Sequence, residues 1–256
     1  INGSLHKFSN VGLHNANDYF FSDFKNTLNT LFEDIGLNPD ITTINGFEFG
    51  VNIKLPTTPN DLIKRIILHK SNIGTSKVGY KDFGYTNYSL KIYNKSELTN
   101  IEPYQSGNIL RIEVKVFKMK HIKKIMTYKR LSDLLDVAVW ERLEIMLIET
   151  ISECLIIDFS ESEQNKLTSK EKIKYLKYIN PSYWCDLHSN LKKHNRELQR
   201  CNLFIELHSK STLKKDIINL VSLKCRELRD ENKANEIIKK WDKFTVFETI
   251  EKTQKW

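Results

Sequence analysis

The sequence predicts an α+β fold: an antiparallel sheet with covering helices, followed by a helical C-terminal half. Two observations carry this. Period-two alternation of apolar and polar residues recurs at 47–54, 88–95 and 110–117, whereas helical spacing takes over beyond Lys118 and persists to the end. The expected division is therefore an α+β unit over 1–118 and a helical region over 119–256.

Taken in order, residues 1–18 mix Gly, Ser, Asn and His with few apolar anchors and predict a short strand or an ordered loop. A helix follows, capped by Asn17 or Asp18, with Phe20, Phe21, Phe24, Leu28, Leu31 and Phe32 at helical spacing and Gly36 and Pro39 at its end. After the strand 47–54, Thr58, Pro59 and Asp61 start a second helix that buries Leu62, Ile63, Ile66 and Ile67 and places His69 near its C-terminus. Residues 76–83 and 85–94 predict a hairpin turning around Asp82, Phe83 and Gly84. A loop over 96–108 then delivers the chain to the strand 110–117.

In the second half, Ser132 or Thr127 caps a long helix expected over 134–157. Thr168 and Glu171 form a capping box for a helix ending near Tyr178. Asn180 and Pro181 open a third, which carries Lys192, Lys193, Arg196 and Arg200 as a basic face, readable equally as solvated helix charge or as a DNA phosphate-binding surface to which Lys115 of the sheet would add. A last pair is expected over 212–230 and 232–242.

Successive side chains of a strand point to opposite faces. Ile112, Val114 and Val116 therefore oppose Arg111, Glu113 and Lys115, and Leu90 and Ile92 oppose Lys91, Tyr93 and Lys95. The earlier run sets Phe47, Phe49, Val51 and Ile53 against Glu48, Asn52 and Lys54. The shared polar face would thus hold two carboxylates, a tyrosine, an amide and several cations. Carboxylate oxygens suit a hard divalent metal, cations stabilise a transferring phosphoryl group, and tyrosine can act as a covalent nucleophile. An ordinary solvated sheet face shows the same alternation, so pattern alone leaves both open.

Lys and Arg outnumber Asp and Glu by 40 to 32, which favours an anionic partner, nucleic acid before a membrane surface. No apolar run reaches the length of a spanning helix and no signal pattern opens the chain, so no membrane partner and a cytoplasmic location are expected. Cys154, Cys185, Cys201 and Cys225 form no Cys-x-x-Cys pair, and reduced thiols are expected. The series Cys185, His188, His194 and Cys201 fits no standard zinc spacing.

Three stretches in order resemble a known family. They are GlySerLeuHisLysPhe with GlyLeuHisAsnAlaAsnAsp (3–18), TyrSerLeuLysIleTyrAsnLysSerGluLeu (88–98), and LeuArgIleGluValLysVal with ThrTyrLysArgLeuSerAspLeuLeuAsp (110–136). Together they are similar to the filamentous-phage gene II and gene X replication proteins and related plasmid Rep proteins, over about half of the chain. The resemblance implies a replication-initiator nicking domain that cuts one origin strand, keeps the 5′ phosphate on a tyrosine and frees a 3′ hydroxyl for rolling-circle synthesis. It implies origin DNA, single-stranded or as cruciform or supercoiled duplex, as partner, with a host helicase, in the cytoplasm of a bacterial host.

This sequence lacks the His-hydrophobic-His metal motif of the commonest such enzymes. It is closer to the branch with acidic ligands, which implies Glu48 and Glu113 as holders of Mg²⁺ or Mn²⁺, with Arg111 and Lys115 balancing charge. Tyr93 is the first choice of nucleophile, because Lys91 and Lys95 share its face and can neutralise phosphate oxygens. Tyr128, Tyr85, Tyr88 and Tyr183 remain open, although Tyr88 should face the core. The alternative function is non-catalytic binding of origin DNA by a replication or control protein.

Overall fold

The period-two runs become strands. The computed structural model describes residues 2–99, 101–126 and 129–230. Its strands are β1 (Phe47–Lys54), β2 (Ile66–His69), β3 (Thr75–Lys77), β4 (Tyr80–Gly84), β5 (Tyr88–Asn94), β6 (Ile109–Val116) and β7 (Cys154–Ile156). Five of them form one antiparallel sheet in the order β1, β6, β5, β4, β3, while β2 pairs with β7 alone. The helices among the described residues are α1 (Leu5–Ser9), α2 (Phe21–Ile35), α3 (Pro59–Arg65), α4 (Val137–Ser152), α5 (Glu161–Lys166), α6 (Ser169–Ile179), α7 (Pro181–Leu187), α8 (Leu191–His208) and α9 (Leu213–Arg229).

The apolar face of the five-stranded sheet is the floor of the main core. Val51, Ile53, Leu90, Ile92, Ile112 and Val114 pack there with Phe24 and Leu28 of α2, Leu143, Leu147 and Ile151 of α4, and Ile217, Leu220 and Val221 of α9. That core draws on residues from both sides of Lys118. A second core surrounds the small sheet, where Ile67, Leu68 and Leu155 meet Trp184, Cys201 and Phe204. Among the described residues no helix is long and apolar enough to cross a membrane.

Several elements depart from expectation. Residues 5–9 form a short helix capped by the Ser4 hydroxyl rather than a strand or loop. The second helix starts at Phe21 rather than on an Asn17 or Asp18 cap, and the N–H of its cap residue, Phe20, donates to the Asp23 carboxylate at 2.9 Å. The third helix ends at Arg65, so Ile66 and Ile67 belong to β2, and His69 is a fully buried strand residue rather than a helix-terminal cation. The long helix starts at Val137 on an Asp136 cap and stops at Ser152, because Cys154–Ile156 leaves it to pair with β2. β-Branched residues satisfy both periods over such short runs, and only the pairing decides. The helix expected to continue from Pro181 breaks, and Asn190 recaps it as α8.

The hairpin bears most directly on the site, because its turn falls earlier than Asp82, Phe83 and Gly84. The first turn is Val78 with Gly79, whose φ of 64° only glycine adopts without strain, and Lys77 pairs with Tyr80 across it. Asp82 and Phe83 are therefore strand residues, and the next turn follows Gly84. The helix expected over 232–242 lies outside the described residues.

Gly50 lies opposite Glu113 in the register. A Cβ there would meet Glu113 Cα at 2.6 Å and press on the Ile112 carbonyl oxygen. Gly50→Ala should therefore cost about 1–3 kcal/mol of unfolding free energy, read by chemical denaturation. An unchanged midpoint would mean that β1 does not approach β6 as described.

Candidate active site

Three strands converge on one carboxylate. The register sets Glu48 opposite Lys115, Lys91 opposite Glu113, and Tyr93 and Asn52 on either side of Arg111. The Glu113 side chain, 5% exposed, accepts from Arg111 Nε at 2.6 Å, Tyr93 Oη at 3.3 Å and Lys91 Nζ at 3.4 Å. The same Lys91 ammonium reaches Glu48 Oε1 at 3.2 Å, and Lys115 Nζ contacts that oxygen at 2.8 Å. One ammonium thus spans the two carboxylates. The site is graded from a buried end at Glu113, Arg111 and Tyr93 to a mouth at Glu48 and Lys115, whose side chains are 36% and 43% exposed.

A loop over residues 15–17 roofs the buried end. Asn52 Nδ2 donates to the Ala16 carbonyl at 3.0 Å, Arg111 Nη1 donates to Asn15 O at 3.3 Å, and Lys95 Nζ donates to Asn15 Oδ1 at 2.6 Å. His6 Nε2 holds the loop through Asn17 Oδ1 at 2.8 Å while its ring stacks on Tyr19. The stretch that carried part of the family resemblance thus meets the strands that carried the rest.

The charges shape the acidities. Burial alone would push the Glu48 carboxyl up, but the hydrogen bond from Lys115 and the charge of Lys91 outweigh it and hold it low. Burial pushes the Tyr93 phenol well above its ordinary value; Arg111 opposes this, and Glu113 adds to it. Burial and the Arg111 charge bring Lys95 down to about 8.

For a divalent metal, the donor set offers two hard carboxylates held around a common cation. Among the described residues no group of three or more His, Cys, Asp and Glu side chains could hold a metal. Two carboxylates suit Mg²⁺ or Mn²⁺ that keeps waters and takes oxygens from a substrate phosphate, provided that Lys91 gives way. Asn52 Oδ1 is committed to Arg111 Nη1 at 3.2 Å and adds no ligand.

Of the residues expected at the site, Tyr93, Lys91, Lys95, Arg111, Glu48, Glu113 and Lys115 share this face. Lys192, Lys193, Arg196 and Arg200, expected as a basic face on a helix apart from the sheet, lie exposed on α8, which packs in the second core; Arg200 bonds Glu197 at 2.5 Å. Tyr183 also donates to Glu197, at 2.7 Å, while Tyr88 is buried in the main core. Tyr85 bonds His69 at 2.6 Å, and Tyr128 lies outside the described residues. The four cysteines are free thiols, and His194 packs edge-on against Trp184.

The sequence reading missed Tyr80 and Asp82, which extend the polar face across β4. Their side chains bond each other at 3.2 Å, the Tyr80 ring lies 5.9 Å from that of Tyr93, and Asp82 pairs with Lys91 in the register. Gly79 was the available signal, because a turn there fixes which way both residues point.

Comparison with family models, with curated proteins and with solved structures finds no match to this chain.

Glu113→Gln leaves Arg111 and Lys91 short of their buried counter-charge. The expected loss is about 3–5 kcal/mol in chemical denaturation, and a loss below about 1 kcal/mol would contradict the buried network. His6 gives a pH signature. Burial, against the Asn17 hydrogen bond, lowers its pKa from 6.5 to about 4, so the unfolded chain takes up the proton first. The His6 contribution to stability is then intact above pH 6.5 and declines as pH falls towards 4. NMR titration of His6 should show a midpoint near 4, with faster amide exchange at residues 15–17 on protonation; a midpoint near 6.5 would contradict the roofed arrangement.

Proposed function

We propose that the polar face performs phosphoryl transfer on DNA, as a tyrosine-type nicking and strand-transfer enzyme that initiates rolling-circle replication of a phage or plasmid. One observation carries the proposal: Glu48 and Glu113 contact one ammonium, and the Tyr93 phenol donates to Glu113. The family resemblance supplies the origin strand as substrate and a host helicase as partner.

In the proposed step Tyr93 Oη gives its proton to Glu113 and forms the bond to phosphorus. The bond from phosphorus to the 3′ oxygen breaks, that oxygen takes a proton from solvent, and the 5′ phosphate stays on the tyrosine. Arg111 and Lys115 balance the charge on the phosphoryl oxygens, and Lys91 and Lys95 flank the nucleophile. When bound by Glu48 and Glu113, Mg²⁺ or Mn²⁺ supplies further charge stabilisation there. A phenol as strongly buried as Tyr93 needs this proton acceptor, because its own acidity is suppressed.

The same burial favours a second reading. With Tyr93 8% exposed and both carboxylates matched by cations, the face also suits a structural ion network in a non-catalytic protein that binds origin DNA.

The two readings separate on a denaturing gel after incubation with single-stranded DNA from the chain's own replicon. The enzyme reading expects a protein–DNA adduct with Mn²⁺ that is absent with EDTA, abolished by Tyr93→Phe and slowed about 10²-fold by Glu48→Gln. Salt-sensitive DNA binding with no adduct from any fragment would leave only the second reading.

A further inference from the structure

From residue 114 to 132 the chain carries seven Lys and Arg and no Asp or Glu, against a formal surplus of +8 for all 256 residues. Mixed signs are the usual condition of a solvated surface, so a run of one sign this long calls for an anionic partner. Lys118, Lys120, Lys123 and Lys124 are exposed, while Met119 and Ile122 between them are buried and pin the segment to the main core. Phe117 N and Lys118 N both donate to Asn87 O, at 2.8 and 3.1 Å, which ties the segment to the turn between β4 and β5.

That turn carries a stack of rings. Tyr85 and Tyr88 lie 4.8 Å apart at 18°, and Tyr88 and His121 lie 4.3 Å apart at 9°. His121 is the exposed end of the stack, and Tyr88 in its middle is buried. Lys70 Nζ fixes the arrangement through Tyr88 Oη at 3.0 Å and lies over both tyrosine rings. Burial and the Lys70 charge lower the His121 pKa, so its ring stays neutral and suited to stacking.

We infer that residues 118–124 and the Tyr85–Tyr88–His121 stack form a docking surface for single-stranded nucleic acid, with the lysines on phosphates and His121 under a base. Cations beside an aromatic platform are the requirement for binding a single strand, since unpaired bases offer their faces and a duplex does not. The surface is distinct from the basic face of α8. It lies at the same end of β5 and β6 as the mouth of the polar face, on the opposite side of the strands, because Ser89 and Lys115 are the next register pair inward from Tyr88 and Val116. It does not require that the face be catalytic.

Fluorescence anisotropy of the full chain with a labelled oligothymidine of about 20 nucleotides tests it. Lys120→Gln/Lys123→Gln should weaken binding at least tenfold at low salt and reduce the salt slope by about 1.4. His121→Ala should weaken it about tenfold with the slope unchanged. Lys192→Gln/Lys193→Gln on α8 should bind as the parent does. Circular dichroism and the denaturation midpoint of each variant show whether it is folded. The inference is overturned if folded variants of residues 120, 121 and 123 bind as the parent does, or if only the α8 variant loses affinity. Capture by phosphatidylserine vesicles without oligonucleotide binding would overturn it in favour of a membrane surface. DNA binding is read here without nicking, so a missing adduct and a missing surface are separate results.

Discussion

A carboxylate buried in a sheet must be matched by charge where it stands, and Glu113 imposes that condition on the rest of this molecule. Its side chain is 5% exposed and takes its compensation from Arg111 on the same strand and Lys91 on the next. Leaving such a group unpaired costs several kcal/mol, so β5 and β6 are held to one register. A slip of β6 by one residue would turn Arg111 and Glu113 into the core, away from Lys91, and Ile112 and Val114 towards solvent. Gly50 completes the arrangement by leaving β1 room to pass over Glu113.

The same condition links site and fold. Arg111 reaches from Glu113 to Asn52 and Asn15, so the charge that neutralises the carboxylate also seats the N-terminal loop. One end of the face is thereby closed and the other, at Glu48 and Lys115, open. Beyond the open end, on the other side of the same strands, lie the ring stack and the lysine segment. Lys115 stands three residues before Lys118, so the lysine segment begins at the same end of β6 as the open mouth, while Tyr93, the only tyrosine bonded to Glu113 among the described residues, stays at the closed end.

The sheet was legible because alternation is strict in β1, β5 and β6. Phe47, Phe49, Val51 and Ile53 can face only one way, and that fixed Glu48, Lys91, Tyr93, Arg111, Glu113 and Lys115 on a common face before any pairing was known. Caps with side-chain chemistry, such as Thr168 with Glu171 and Asn180 before Pro181, were legible for the same local reason. Ile66–His69 and Cys154–Ile156 were not, because each becomes a strand only by meeting the other about a third of the sequence away. Asp82 was misplaced for want of one turn. The roof of Asn15 over Arg111 joins residues 96 positions apart, which no local pattern encodes. His121 passed unnoticed because its stacking partner, Tyr88, read only as core.

Peptide mapping by mass spectrometry, after nuclease trimming of the chain incubated with Mn²⁺ and origin single-stranded DNA, decides whether Tyr93 becomes covalently linked to DNA. A nucleotide phosphate is expected on the peptide that contains Tyr93. Unmodified tyrosine peptides throughout, from protein that has bound the DNA, would contradict it and leave the Glu113 network a structural feature of a DNA-binding protein.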